Sequence, residues 1–497
     1  MCLRLVLGAP KLRKLRHSII DSQPLLSYNI APTHPKSVET PYKDRVENIL
    51  QSSTGATKRI ASEMYKFFRS SFFNFEYLRV LGAAPFQASE VSECIEALTY
   101  LRNDDPESWY TTWNAFGNKA KLLGEEALAN QDKAAARWAF LRAANYYRSS
   151  EFFLHINPTD PRMLSAIQKS SETHNRAIAL LDTEVILFNI PYEDGIELPT
   201  RLYMPQSSSR GLGRIPLIVQ TNGFDSTGEE LYLYGPAGAI PRGYAILSFD
   251  GPGQGLSSRR DKTILRPDWE HVTSKVLNYL FDTFAPKNDR LELDLDRIAI
   301  IGASMGGYFA LRASVDPRIK ACVSCDGFYS LFEVARSRMP SWFINSWLNG
   351  TMSDGMFNAI SNFLARFNFQ LNWEFKHSQW CYGVKTPADV MRVMQTMSLK
   401  MPDGSEYLDK VQCPVMVTGA AQTIYFEPQI NAETVFANLG HLEKSRKLLW
   451  VGNGPSDGGI QAKIATLGLM HQRMFEWLDH QLEVVRLADT KKRTYQL

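Results

Sequence analysis

The sequence has few cysteines and no long apolar run, and both shortages exclude whole classes of protein. Its six cysteines are scattered over 497 residues, so we expect a reducing, cytoplasmic compartment and a fold that needs no disulfide. Cys322 and Cys325 form a C-x-x-C pair within the run IKACVSC. Strand residues three apart point to opposite faces, which argues against a metal or redox pair. No apolar run approaches the roughly 18 residues of a membrane-spanning helix.

The sequence also has little excess charge, and that excess lies at the N-terminus. The formal net charge is +3, from 55 basic and 52 acidic side chains. The first twenty residues contain no acidic side chain and five basic ones: Arg4, Lys11, Arg13, Lys14 and Arg16. Without these five, 50 basic and 52 acidic side chains remain, a net charge of −2. A near-neutral body argues against a nucleic-acid partner, because phosphates require a basic face.

The N-terminal segment differs from the rest of the chain. Residues 1–60 contain Pro, Ser and Thr without a sustained hydrophobic period, so we predict an irregular basic extension. Its first apolar stretch is too short and broken for a secretory signal peptide. An Arg-rich, acid-poor segment is also typical of a mitochondrial presequence. We favour a disordered tail or a misassigned start codon over that alternative.

The next segment is predicted to be helical. Asp105-Pro106 and Asp160-Pro161 each supply an N-cap residue followed by proline at the first helical position. Between them lies a long stretch of good helix formers with interleaved aromatic residues, and nothing there indicates a strand. We therefore predict a helical domain over residues 61–181.

From about residue 184, short β-rich runs alternate with helix-length amphipathic segments. The runs are EVILFNI, IPLIVQT, GYAILSFD, DRIAIIGA, IKACVSC, PVMVTGA and KLLWVG. Such alternation predicts an α/β fold, a mostly parallel sheet with helices on both faces. We predict that this core spans residues 182–326 and 411–485 and is followed by a tail at 486–497. The intervening 327–410 is too long for a connection and is predicted to be a helical lid over the carboxyl edge of the sheet.

One motif carries the chemistry. Gly302-Ala303-Ser304-Met305-Gly306 has the pattern G-x-S-x-G, a β run ends at Gly302, and a helix is predicted to begin after Ser304. This is the strand–turn–helix setting of a nucleophile elbow. The sharp turn leaves no room for neighbouring Cβ atoms, which explains the glycines. Ser304 is therefore the predicted nucleophile.

Two other loops follow β runs. Asn222-Gly223-Phe224 is placed where a backbone N–H would complete an oxyanion hole. We assign the two donors to Phe224 and to Met305, the residue after the nucleophile. The loop Asp250-Gly251-Pro252-Gly253-Gln254-Gly255 is interpreted only as a glycine-rich turn. It is no phosphate loop, because no G-K-[ST] follows.

Together these segments resemble the α/β-hydrolase superfamily. In particular, the chain resembles fungal hydrolases of polyketide and polyketide–peptide pathways, the fusarin-pathway family, with relatives in the yellowish-green pigment and dihydropseudooxynicotine hydrolases. The matching stretches are NGFDSTGEELY, FDGPGQG, RPDWEHV, IGASMGGYFALRAS and IKACVSCDGFYSL, within residues 65–485. The resemblance implies a catalytic Ser304, no metal or cofactor, and a bulky, apolar polyketide or polyketide–amino-acid substrate of fungal secondary metabolism.

The sequence departs from that family at the other two triad positions. The acid normally follows the strand found here in CPVMVTGAAQTIYFEP, where Gln422 matches it. The histidine normally lies in a loop G-x-x-H-C-Q, where Gly459 matches it, and no histidine occurs from 442 to 470. Loss of the base costs a serine hydrolase on the order of 10⁶ in kcat.

Six residues are candidate substitutes, and for each we favour a structural interpretation. They are Asp326, His377, His441, Asp457, His471 and His480. Asp326 follows a strand and is expected to be a turn or helix-cap residue. His377 is expected to be an exposed lid histidine, and Asp457 a solvated loop residue.

Three functions remain open at this stage. The first is hydrolysis, or cleavage of an acyl bond, by Ser304 and the oxyanion hole. The second is a non-hydrolytic cyclase or dehydratase that uses the same pocket for positioning and carbonyl polarisation. The third is a non-catalytic pseudo-hydrolase. A small apolar molecule is the expected partner, and a homodimer is left open.

Overall fold

The computed structural model describes residues 66–211 and 213–486. The predicted basic extension at 1–60 and the tail after residue 486 lie outside the described residues. Within those two ranges, no helix is long and apolar enough to cross a membrane. The same residues contain no group of His, Cys, Asp and Glu side chains that could hold a metal ion.

Helices alone precede the sheet in the described part of the chain. They are α1 (Ser71–Leu81), α2 (Val91–Ala97), α3 (Pro106–Ala129), α4 (Lys133–Glu151) and α5 (Pro161–Ile178). Both predicted N-caps are formed. The Asp105 carboxylate accepts the N–H groups of Glu107 and Ser108, each at 3.0 Å, and Asp160 accepts that of Arg162 at 2.9 Å.

The sheet has eight strands. They are β1 (Val185–Pro191), β2 (Glu197–Tyr203), β3 (Ile215–Thr221), β4 (Ala245–Phe249), β5 (Leu293–Ala303), β6 (Ile319–Cys325), β7 (Val415–Ala420) and β8 (Lys447–Gly452). Their spatial order is β1-β2-β4-β3-β5-β6-β7-β8. Strand β2 pairs antiparallel with β1 and β4, and all other pairs are parallel.

Sequence analysis missed β2. Its segment contains Pro199, which lacks the N–H that a strand between two neighbours normally donates. The Pro199 carbonyl still accepts the N–H of Asp250 at 3.0 Å. The other seven strands match the predicted runs.

The remaining helices cover the sheet and form the insertion at 327–410. The helices between β3 and β6 along the chain are α6 (Gly228–Tyr234), α7 (Pro236–Ala239), α8 (Gly255–Asp261), α9 (Trp269–Tyr279), α10 (Ala285–Lys287) and α11 (Met305–Ala313). The insertion carries α12 (Leu331–Ser337), α13 (Ser341–Leu348), α14 (Asp354–Ala365), α15 (Phe369–Tyr382) and α16 (Pro387–Thr396). Helix α17 (Ala432–Ala437) lies between β7 and β8, and helix α18 (Leu467–Gln481) follows β8.

The central strands contribute to two hydrophobic cores. In β5, Ile298 and Ile300 pack with one core, which includes α9 and α11, whereas Ala299 and Ile301 pack with the other, which includes α18. Alternate strand residues face opposite sides of a sheet. The sheet is therefore buried on both faces, as a parallel sheet requires.

The insertion is attached to the N-terminal helices as well as to the sheet. The Trp373 ring of α15 stacks on Phe152 with centroids 4.6 Å apart, and its Nε1–H donates to the Phe152 carbonyl at 2.8 Å. Phe72 of α1 contacts the same ring at 5.2 Å. Phe375 and Tyr382 of α15 belong to the hydrophobic core that packs on the sheet. The domain boundaries at 181, 326 and 410 stay predictions.

We expect Trp373→Ala to lower the free energy of unfolding by about 3–5 kcal/mol, because it removes a buried indole and leaves a cavity. Trp342→Ala is the matched control, since Trp342 lies in the same insertion but is 67% exposed. That change should stay within about 0.5 kcal/mol of the parent. Urea denaturation measures both, and equal losses would contradict the packing described here.

Candidate active site

Ser304 occupies the turn between β5, which ends at Ala303, and α11, which begins at Met305. Its backbone angles are φ 57° and ψ −125°, a region that residues with a side chain rarely adopt. Two hydrogen bonds hold this conformation. The Ser304 N–H donates to the Cys325 carbonyl at 2.8 Å, and the Ser304 carbonyl accepts from Gly307 N–H at 2.9 Å.

The two glycines of the motif are required by close backbone approach. A Cβ atom at Gly302 would lie 2.1 Å from the Gly306 carbonyl oxygen. A Cβ atom at Gly306 would lie 2.8 Å from the Thr221 carbonyl oxygen of β3. Any larger residue would push the serine turn away from the sheet. The local geometry is therefore that of a nucleophile elbow.

The loop after β3 is held by Gln254. The Gln254 Nε2 group donates to the carbonyls of Asn222 and Gly223, at 3.0 and 2.8 Å. The C=O and N–H groups of a trans peptide point in opposite directions. Binding the Gly223 carbonyl therefore turns the Phe224 N–H away from Gln254. Among the described residues, no acceptor takes the N–H of Phe224 or of Met305, so both can bind a ligand oxygen.

The Asp250 carboxylate also holds the loop after β3. Its Oδ1 accepts the Asn222 side-chain amide at 2.7 Å and the Gly228 N–H at 2.8 Å, and its Oδ2 accepts the Leu256 N–H at 3.0 Å. Burial raises the pKa of this carboxyl to about 6. The interpretation of this loop as a simple turn was incomplete. The signal that could have revealed its role is two polar side chains, Asp250 and Gln254, directly after a buried strand.

His377 binds the peptide on the other side of Phe224. Its Nε2 lies 3.3 Å from the Phe224 carbonyl oxygen, and its ring stacks on Trp373 and His155 at 4.6 and 4.7 Å. Burial holds the pKa of His377 well below its usual value, so the ring is neutral and donates this bond. The expectation of an exposed lid histidine was wrong. The face of α15 that carries His377 packs against the N-terminal helical segment and does not face solvent.

The two predicted triad positions are neighbours in space but carry no triad groups. The Gln422 N–H donates to the Gly459 carbonyl at 2.8 Å. A Cβ atom at Gly459 would lie 2.7 Å from the Gly454 carbonyl oxygen. In this loop conformation a histidine has no room at position 459. Changing Gly459 to histidine therefore requires the loop to move.

Asp326 belongs to a buried ion pair. It sits at φ 49°, as expected for a turn residue, but the Lys463 Nζ lies 2.8 Å from its Oδ1. Lys463 is fully buried and also donates to the carbonyls of Gly419 and Gly458, at 2.7 and 2.9 Å. The helix-cap alternative for Asp326 was therefore wrong. Sequence analysis missed Lys463, because a buried lysine has no local signature.

The other candidate substitutes lie away from the serine. Asp457 is half-exposed and pairs with Arg473 at 3.4 Å, as a solvated loop residue would. His441 and His471 each bond to a backbone carbonyl, at 2.7 and 3.0 Å. His480 is exposed at the end of α18. None of these side chains lines the cavity that contains Ser304.

That cavity has a volume of about 300 Å³ and lies between the elbow and the insertion. Its lining is largely apolar, and the apolar side chains include Phe224, Met305, Leu371, Phe375, Met391 and Phe426. The charged side chains in its wall are Asp225, Arg338 and Glu374. No histidine is among the described residues that line it. Such a volume and lining are typical of a site for an apolar small molecule.

The sheet order, the elbow and the cavity define an α/β hydrolase. Residues 99–345 match the family model described as "Esterase FrsA-like". The chain is 54% identical over 423 residues to the 20-hydroxy-prefusarin hydrolase FUS2 of Gibberella moniliformis. The aligned region covers 85% of this chain and 99% of the relative. The hydrolase LUC6 of a Fusarium species is 54% identical with the same coverage.

A solved structure agrees on the fold. The 2,6-dihydroxy-pseudo-oxynicotine hydrolase superposes with a TM-score of 0.59 at 19% identity, over 81% of this chain and 95% of that one. The chain therefore belongs to the FrsA-like α/β-hydrolase family and, within it, to the hydrolases of fungal secondary-metabolite biosynthesis. The predicted fold class and family resemblance are confirmed.

We expect Lys463→Met to lower the free energy of unfolding by about 3–5 kcal/mol, because Asp326 would be left as an unpaired buried carboxylate. The double variant Lys463→Met with Asp326→Asn should recover part of that loss. Thermal and urea denaturation of the parent, Lys463→Met, Asp326→Asn and the double variant measure this coupling. A double variant as unstable as the sum of the two single changes would contradict the ion pair.

We expect Gln254→Glu to slow the labelling of the protein by a fluorophosphonate probe by about 100-fold, because the Phe224 amide loses its orientation. Gln412→Glu is the control, since Gln412 is exposed and far along the chain in a loop. The labelling rate under limiting probe measures the effect. An unchanged rate for Gln254→Glu would show that this side chain does not set the oxyanion hole.

Proposed function

We propose that the chain acts on an acyl or carbonyl group of a bulky, apolar polyketide or polyketide–amino-acid substrate. Ser304 is the nucleophile, and the amides of Phe224 and Met305 bind the developing oxyanion. The observation that carries this proposal is the strained Ser304 turn beside two unoccupied amide donors in an apolar cavity of about 300 Å³. Preorganised donors of this kind are usually the largest single contribution to catalysis of acyl transfer.

The class of substrate is supported by the cavity and by the relatives. An apolar wall with few charged groups suits a large uncharged ligand better than a peptide or a phosphate. One relative is named a 20-hydroxy-prefusarin hydrolase, and we take the proposed substrate class by analogy with it. The five cysteines in the described residues are free thiols, which supports the expected reducing, cytoplasmic compartment. A homodimer is not part of this proposal.

A second function is favoured by one specific observation. Gln422 and Gly459 match the positions at which the resembled family carries the acid and the histidine, and Asp326 is paired with Lys463. A cyclase or dehydratase needs the oxyanion hole and the dry cavity more than it needs an activated serine. A non-catalytic pseudo-hydrolase would keep the same fold without turnover. An unchanged metabolite profile after gene deletion would identify that third case.

A fluorophosphonate probe separates these functions. We expect the parent protein to be labelled and Ser304→Ala to be unlabelled, because only an activated serine reacts with the probe. Ser337→Ala is the matched control, since Ser337 is exposed on α12 of the insertion and should leave labelling unchanged. Intact mass spectrometry measures the added phosphonyl group.

The native reaction distinguishes the remaining cases. Turnover that persists in Ser304→Ala would contradict the serine nucleophile and support the cyclase or dehydratase. Turnover abolished in Ser304→Ala, with the parent labelled, supports the acyl mechanism.

A further inference from the structure

The acyl mechanism proposed above needs a group that accepts the proton of the Ser304 hydroxyl. In the described part of the cavity wall, histidine is missing, and the carboxylates are Asp225 and Glu374. The two differ in their surroundings. Glu374 accepts hydrogen bonds from Arg338 at 2.9 Å and from Gln370 at 2.8 Å, both on the same oxygen, and is held against the insertion.

Asp225 lines the same two cavities as Ser304. It directly follows Phe224, so the bonds that orient the Phe224 amide also fix the Asp225 backbone. It lines the main cavity and also a smaller adjoining cavity of about 40 Å³, and Ser304 lines both. Glu374 lines only the main cavity. Asp225 therefore shares more of its surroundings with the serine than any other carboxylate in the described wall.

One carboxylate oxygen of Asp225 is available to accept a proton. Its Oδ1 lies 3.2 Å from an Arg79 nitrogen, but Arg79 is bound in a bidentate manner by Glu230. Among the described residues, no hydrogen-bond donor contacts the Asp225 Oδ2. The side chain is 22% exposed, and part of its surface forms the cavity wall.

We propose that Asp225 is the acid–base group of this site, in place of the absent histidine. The Asp225 carboxylate takes the proton of the Ser304 hydroxyl while the serine oxygen forms a bond to the carbonyl carbon of the substrate. The π electron pair moves onto the carbonyl oxygen, where the Phe224 and Met305 amides bind it. When that pair returns, the bond to the leaving group breaks, and Asp225 returns the proton to the leaving group. Water then gives a proton to Asp225 and attacks the carbonyl carbon of the acyl-serine. The bond to the Ser304 oxygen breaks, that oxygen takes the proton from Asp225, and the carboxylic acid is released.

The charges around Asp225 suit proton exchange. The groups that face it are the cations Arg79 and Arg148 and the carboxylates Glu76 and Glu230, so three carboxylates share two cations. Burial raises the pKa of Glu76 to about 8, so this network already holds one proton at neutral pH.

This proposal rests on the proposed serine chemistry, and one experiment separates the two. The second-order rate of fluorophosphonate labelling is measured for the parent, Asp225→Asn and the exposed-loop control Asp403→Asn. General-base catalysis contributes about 100-fold or more, so Asp225→Asn should be slower by at least that factor, with Asp403→Asn unchanged. A parent that is not labelled overturns the serine mechanism itself. A labelled parent with an equally fast Asp225→Asn overturns only the role of Asp225.

A second variant excludes a purely structural role. Asp225→Ala removes the carboxylate from the cavity wall, and added imidazole should accelerate its labelling in proportion to imidazole concentration. An ion-pair role with Arg79 predicts no such rescue, because a neutral base cannot replace a carboxylate beside a guanidinium group. Slow labelling of Asp225→Ala with and without imidazole would therefore overturn the proposal.

Discussion

The strained turn at Ser304 is the constraint on which the rest of the site depends. A left-handed φ at a residue with a side chain is held there only by surrounding structure, here the Cys325 carbonyl of β6 and the tight contact between Gly302 and Gly306. Because β3 lies beside β5 in the sheet, the loop after β3 ends next to the serine. The site forms at the carboxyl edge of the parallel strands, where ligands of open α/β sheets bind.

The loop after β3 is fixed by side chains from two other parts of the chain. Gln254 and Asp250 follow β4, and His377 comes from the insertion, so the peptides on both sides of Phe224 are held without a ligand. The insertion is therefore a wall of the site as well as a cover, since α15 cannot leave without releasing the Phe224 carbonyl. A buried ion pair lies beside the two positions that match the triad. Lys463 pairs with Asp326, and its Nζ also donates to the carbonyl of Gly458, the neighbour of Gly459.

Sequence analysis predicted the features that depend on neighbouring residues. The N-caps at Asp105 and Asp160, the β runs and the turn around Ser304 each follow from a few consecutive residues. The failures involve long-range packing. Burial of His377 depends on residues of the N-terminal helices, and Lys463 is buried by partners that lie far from it in sequence. Strand β2 was missed because its segment contains Pro199, and a proline argues against a strand that has a neighbour on each side.

Ser304 and the amides of Phe224 and Met305 are proposed to form one site for a negatively charged carbonyl oxygen. A crystal structure of the protein after phosphonylation would show this site occupied. We expect a phosphonyl group on the Ser304 Oγ, with one oxygen about 3 Å from the amide nitrogens of Phe224 and Met305. A phosphonyl oxygen that points to solvent, or a phosphonyl group on another residue, would contradict it.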